Sequence, residues 1–165
     1  MANLKEIRGR IKSITSIQKV TSAMKMVAAA KLRTSQSNME QCRPYSNKIS
    51  SLLNDLLGEC DSANFKLMQK REISKTLYVV ITSDRGMAGA FNTNILKKAQ
   101  SDIDINGKNE AMVISIGKKS RDYFKNRNFD IVSEYIDFWG DLNFDHAMNI
   151  GNEIVDLFIS KKVDQ

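Results

Sequence analysis

A chain of 165 residues, 42% hydrophobic and 27% charged, has room for one globular domain with an appendage, and is too apolar to stay disordered. Two cysteines, Cys42 and Cys60, exclude a disulfide framework and a thiolate metal site, so reduced thiols in a cytoplasmic protein are expected. The net charge of +6 is uneven: residues 1–50 hold ten Lys/Arg against two acids (+8), and residues 51–165 hold fifteen against seventeen (−2).

The opening MANLKEIRGR lacks the apolar core of a secretory signal, and the longest apolar run of strand type, Leu77–Ile81, is too short to span a bilayer. Any work at a membrane is expected to go through partners. Residues 3 to about 57 read as one long, basic, amphipathic helix. Asn3 is a good N-cap, with Glu6 three positions on to complete a capping box. Leu4, Ile7, Ile11, Ile14, Ile17, Val20, Met24 and Val27 recur at the spacing of one helical face. After the small patch Ala28–Ala30 the stripe resumes at Tyr45, Ile49, Leu52 and Leu56. From Ile11 the steps run three, three, three, four, which predicts a partner contact that rotates along the helix. Such a helix is roughly 80 Å long, beyond what a small domain can cover. Each buried seam residue contributes about 1.5–3 kcal/mol, against about 0.2–0.5 for a surface charge pair, so burial by another helix or chain must hold it. Pro44, the only proline, predicts a kink or a break, and the stripe on either side favours the kink. The helix is expected to fray near Gly58, with a linker of loop and irregular structure over 58–75.

From Lys75 the pattern changes. Thr76–Thr82 is a β-branched and aromatic run, expected to be a strand buried on both faces. A glycine turn over 83–89 follows, then a helical face at Phe91, Ile95, Leu96 and Ala99. Ala111–Ile116 is a second buried strand closed by Gly117, and a short helix is expected over 118–126. Asp130–Ile136 is a third strand. Phe144, Ala147, Met148, Ile154, Val155 and Phe158 define a last helix ending near Lys161 and Lys162. Alternating strands and helices imply an α/β fold: a long N-terminal coiled-coil helix (1–57), a linker (58–75), and an incomplete Rossmann-like parallel-sheet domain (76–165). Three strands leave open edges, and both the sheet and the helix look unfinished.

The turn at 83–89 lies where α/β folds bind ligands, at the carboxyl end of a strand. Gly86 and Gly89 give only G-x-x-G, neither a dinucleotide fingerprint nor a P-loop, so a structural turn or a protein-contact loop is the expectation. Asp84 and Arg85 are expected to form a local pair that fixes the turn. His146, the only histidine, falls in the first turn of the last helix, where packing or solvent is its expected surrounding. No arrangement of carboxylates, metal ligands or nucleophile and base stands out. Met24 and Met26 suit an adaptable contact surface, although Met24 is also a seam residue. The basic residues Lys5, Arg8, Arg10, Lys12, Lys19, Lys25, Lys31 and Arg33 are spread over many turns, unlike the compact basic region of a DNA-reading helix.

Two stretches resemble one family. Gln18–Lys31 (QKVTSAMKMVAAAK), with Leu4–Arg8, Arg10–Ile11 and Arg43–Tyr45, is similar to the N-terminal helix of the gamma subunit of F-type ATP synthases. Ser83–Asn92 (SDRGMAGAFN) resembles that family's turn after its first strand, with Met87, Ala88 and Ala90 where Leu, Cys and Gly are frequent. The resemblance implies a central rotor shaft. Its N-terminal helix pairs with a C-terminal helix inside the hexamer of alpha and beta subunits, and its base domain stands by the epsilon subunit and the c-ring of the membrane sector. It implies no catalytic residue, cofactor or metal in this chain, no nucleic acid, and a peripheral place on the cytoplasmic face of a bacterial inner membrane. It marks Lys19, Thr21, Met24, Lys25 and Lys31 for contact near the beta subunits, and the turn with Asp84, Arg85, Gly86 and Gly89 as a structural or stator-contact loop. Family members continue with more sheet and a long C-terminal helix, so the chain is expected to be a fragment or a shortened product, poorly folded over 1–57 by itself. A Rossmann-like nucleotide-binding enzyme with a helical arm, and a basic-helix nucleic-acid binder, are the competing expectations.

Overall fold

The structure, a computed structural model, describes residues 3–57, 65–69, 71–107 and 110–165. The chain divides into two compact units, Met1–Cys60 and Asp61–Gln165.

The first unit is a single helix, α1 (Leu4–Leu57). The Asn3 side-chain oxygen caps it by accepting from the Lys5 N–H at 3.3 Å. The reciprocal half of the expected capping box does not form, because Glu6 turns to Arg10 at 2.7 Å, one helical turn on. The helix runs through Pro44 without a break. A proline removes a single rung of the hydrogen-bond ladder, and the turns on both sides hold the helix together. No residue of α1 is buried. The fraying expected near Gly58, and most of the linker before Phe65, lie outside the described residues.

In the second unit a short 3-10 turn, Lys66–Met68, precedes strand β1 (Thr76–Ile81). Then come α2 (Phe91–Asn106), β2 (Ala111–Ile116), α3 (Lys118–Lys125), β3 (Asp130–Tyr135) and α4 (Phe144–Ile159). The strands form one parallel sheet in the order β1-β2-β3. The ladder shifts between Val113 and Ile114, which pair with Ile131 and Ser133, so Val132 is an extra residue in β3. Val80, Ala111 and Val113 form a core with Leu96, Ile103, Phe124 and Phe129, under α2 and α3. Ile114 and Ile116 form a second core with Leu157 and Val163, under α4. Only β2 is buried on both faces. The expectation that β1 would be buried on both faces is wrong: Val79 is 37% and Ile81 53% exposed. Strand β1 is at the sheet edge, and the core under α4 reaches it at Leu77 but leaves Val79 and Ile81 outside. β-Branched character marks a strand but not its place in the sheet.

Candidate functional site

The carboxyl ends of the three strands meet around Thr82, Ser83 and Asp84. Helix α3 begins there at Gly117, which has no side chain to cap it and sits at φ +100°. The three residues after β1 supply the caps. Asp84 Oδ1 accepts from the Lys118 N–H at 2.8 Å, the Ser83 carbonyl from the Lys119 N–H at 3.3 Å, and the buried Thr82 hydroxyl from the Ser120 N–H at 2.8 Å. The first three donors of the helix are therefore filled from within the chain. A Cβ on residue 117 would fall 2.2 Å from the Thr82 carbonyl oxygen, so only glycine lets the strand end and the helix start come this close.

Asp84 does more than cap. Its Oδ2 accepts from the Asp137 N–H at 3.0 Å, in the loop after β3. One carboxylate thus joins the loops that follow all three strands. Lys118 Nζ pairs with Asp137 Oδ1 at 2.7 Å, beside that joint. The local Asp84–Arg85 pair expected from sequence is replaced by these bonds. Backbone N–H groups held by a sheet and a helix converge on the carboxylate at fixed positions, whereas Arg85 is exposed.

The loop past Asp84 is held by Ser83 and Asn92. The Ser83 hydroxyl donates to the Arg85 carbonyl at 2.6 Å, the Ser83 N–H to Asn92 Oδ1 at 3.1 Å, and Asn92 Nδ2 to the Ser83 hydroxyl at 2.9 Å. Gly86 lies beside the Lys119 side chain, while Gly89, at φ +57°, has open space around it. Met87 is also left-handed, at φ +60°, and wholly exposed. The loop therefore fixes an apolar tip in a conformation uncommon for a residue with a Cβ, next to the free-standing Arg85. His146 is in the first turn of α4. Its N–H donates to Asn143 Oδ1 at 3.2 Å, its Nδ1 accepts from the Asn143 N–H at 3.4 Å, and its ring stacks on Phe138. Sequence reasoning missed this capping role, because the usual signal at that position is Glu or Gln.

On α1, all five residues singled out by the resemblance are exposed. They do not share one face. Met24 and Lys31, seven apart, lie nearly on one line, but Lys19 and Lys25, six apart, are about 120° apart around the helix. The threonine hydroxyls face inward along the backbone: Thr15 donates to the Ile11 carbonyl at 2.9 Å, Thr21 to Ile17 at 2.9 Å, and Thr34 to Ala30 at 3.1 Å. The whole apolar stripe, from Leu4 and Ile7 to Leu52 and Leu56, is exposed beside the basic residues. No helix among the described residues is long and apolar enough to cross a membrane.

The chain is similar to known proteins in sequence and in fold. A family profile described as ATP synthase matches residues 3–165. The ATP synthase gamma chain of Desulforamulus reducens is 39% identical over 166 residues, covering all of this chain and 58% of that protein. The gamma chain of Chloroherpeton thalassium is 42% identical over 171 residues, covering all of this chain and 56% of its own length. The chain thus spans little more than half the length of these relatives. Among solved structures, the central stalk and c-ring of Tetrahymena thermophila mitochondrial ATP synthase contains a chain matching with a TM-score of 0.62 at 25% identity, over 82% of this chain and 58% of that one. The rotor of Euglena gracilis mitochondrial ATP synthase shares the fold, with a TM-score of 0.53 at 19% identity over 89% of this chain and 50% of that one. With a family profile running through the helix, the strand-end loop and the sheet, the chain belongs to the ATP synthase gamma chain family.

Proposed function

We propose that this chain is the N-terminal portion of the rotor shaft of an F-type ATP synthase, which couples rotation of the c-ring to conformational change at the catalytic sites of the beta subunits. Residues 1–57 are the shaft helix, 58–75 the linker, and 76–165 the base domain. The chain carries no catalytic residue of its own. Its partners are the alpha and beta subunits, the epsilon subunit and the c-ring, and its place is the cytoplasmic face of the cell membrane, held there through the complex. Lys19, Thr21, Met24, Lys25 and Lys31 meet the beta subunits at different rotational angles, consistent with their spread around α1, and the loop from Asp84 to Gly89 meets the stator.

The observation that carries this reading is the 54-residue helix α1, with its apolar stripe exposed and no residue buried. An exposed stripe of that length requires covering surface from elsewhere. The excess of basic residues on the same helix suits acidic surroundings. The nucleotide-binding enzyme is the poorer reading, because the Gly86–Gly89 turn that opens α2 carries no phosphate-binding fingerprint, and the neighbouring terminus of α3 is already filled by Asp84, Ser83 and Thr82.

The test is to solubilise membranes of the source organism gently and precipitate with an antibody to residues 4–57. Co-precipitation of the alpha–beta hexamer and the c-ring is the expected result. Recovery of the subunit without the hexamer would sink the shaft reading, and tight binding of ATP, ADP or NAD to the purified chain by calorimetry would revive the enzyme.

A further inference from the structure

The linker joins α1 to the sheet at β1. A twisting load that travels along the backbone from α1 enters the sheet at the residues just before Thr76. Those residues are not left to the β1–β2 ladder alone. Arg71 places its guanidinium 4.0 Å above the Phe158 ring, and its Nη1 donates to the Phe158 carbonyl at 2.8 Å. Asp164 Oδ2 accepts from the N–H groups of Ser74 at 3.1 Å and Lys75 at 3.0 Å. The Asp164 N–H donates to the Lys75 carbonyl at 2.8 Å, and the Leu77 N–H donates to the Gln165 carbonyl at 2.7 Å.

The end of α4 is shaped to make these bonds. Lys161, at φ +59°, turns the chain, while the Lys161 and Lys162 N–H groups bond back to the carbonyls of Phe158 and Leu157. The turn sends Val163 into the core beside Ile114 and Leu157, where it is 1% exposed. With Val163 fixed, Asp164 lies against Ser74 and Lys75. The N–H groups of Lys75 and then Ser74 hold the Asp164 carboxyl below its ordinary range, as expected of a carboxylate gripped in its charged form.

We infer that Arg71 and Asp164 form a clamp that ties the entry of β1 to α4, and that this clamp passes load between the shaft helix and the base domain. The inference rests on the shaft reading. Hydrogen bonds along a strand share a shearing load, and the first of them carry most of it. Tying residues 71–75 to a helix on the sheet face moves the load from the first rungs of β1 into the second core. Arg71 and Asp164 are positioning residues here.

The test uses the subunit as the cell makes it, with Arg71→Ala, Asp164→Ala and the control Leu96→Ala introduced in the chromosomal gene. Leu96 is buried in the other core, so its variant loosens the domain without touching the clamp. In inverted membrane vesicles, ATP hydrolysis is measured beside the membrane potential it generates, read with a voltage dye so that the transported ion need not be known. Amide exchange is measured on the purified subunit. The expected result is faster exchange at Ser74, Lys75 and Leu77 in both clamp variants with β2 still protected. The potential generated per ATP hydrolysed falls several-fold, while the Leu96 variant keeps the wild-type ratio. Clamp variants that exchange faster but keep that ratio, or a Leu96 variant that loses it equally, would overturn the clamp's role and leave the shaft reading standing. A wild-type subunit absent from the hexamer in these vesicles would overturn both.

Discussion

Asp84 is a single carboxylate on which three loops depend. Replacing it with alanine takes the acceptor from the Lys118 and Asp137 N–H groups at once. Hydrogen bonds to charged groups contribute about 1.5–3 kcal/mol each, and with partial access of water the loss here is about 2–3 kcal/mol in total. Urea denaturation followed by the fluorescence of Trp139, the only tryptophan, measures it, and Asp84→Asn, which keeps one good acceptor, is expected to lose less. Tyr135 offers a second check. Its hydroxyl donates to Glu153 at 2.5 Å, and Ser133 donates to the same carboxylate. Burial, then the bond to Glu153 and its charge, push the Tyr135 hydroxyl up from 10.0 to about 12. A raised folded-state value means that the folded chain keeps a proton which the unfolded chain has lost. This contribution to stability is therefore intact below pH 10 and falls away as the pH rises from there toward 12. Absorbance titration of the folded chain is expected to show a late phenol that is missing in Tyr135→Phe, and Glu153→Gln is expected to bring it earlier.

At the scale of elements, the turn just past the end of α4 puts a lysine, Lys161, in a backbone conformation that favours glycine. Lys161→Gly keeps the bonds of that turn and removes the steric cost of the Cβ, so it is expected to stabilise the base domain by about 0.5–1 kcal/mol. A rise in the thermal midpoint checks this, and no change would show that the lysine stem repays the strain by packing. The elements themselves were largely legible. The run TLYVVI, the run AMVISI and the 3.6-residue spacing at Phe144–Phe158 each carry their own local signature, and the strands end within one residue of expectation. What could not be read was who faces whom. Val79 and Ile81 have the same β-branched character as Val113 and Ile114, but one pair lies at an edge and the other in the middle, and only strand order separates them. The loop was legible as a turn, and Asp84 and Gly86 as part of it. The partners of Asp84 were not, because they are backbone groups 34 and 53 positions away, and a backbone N–H leaves no mark in a sequence. The same holds for Asp164, whose partners are the N–H groups of Ser74 and Lys75.

At the scale of the whole molecule, the sheet domain has its own cores, whereas the helix has none. Helices draw most of their stability from packing of their apolar face, so an unpacked α1 in the isolated chain opens readily. Amides from Lys5 to Asp55 are expected to exchange quickly in the purified chain, while Val113 and Ile114 stay protected. Strong protection across 5–55 in the isolated chain would contradict this, and protection gained in the assembled complex would show which surface covers the stripe. The three threonines along that helix bear on how it would move once covered. Thr15, Thr21 and Thr34 give their hydroxyl protons to their own backbone. These three hydroxyls keep no free proton for a neighbour, so the donors it can grip on this helix are chiefly the exposed basic side chains between them. Polar attachment of a covered α1 to its surroundings is therefore concentrated at its lysines and arginines rather than at its threonines.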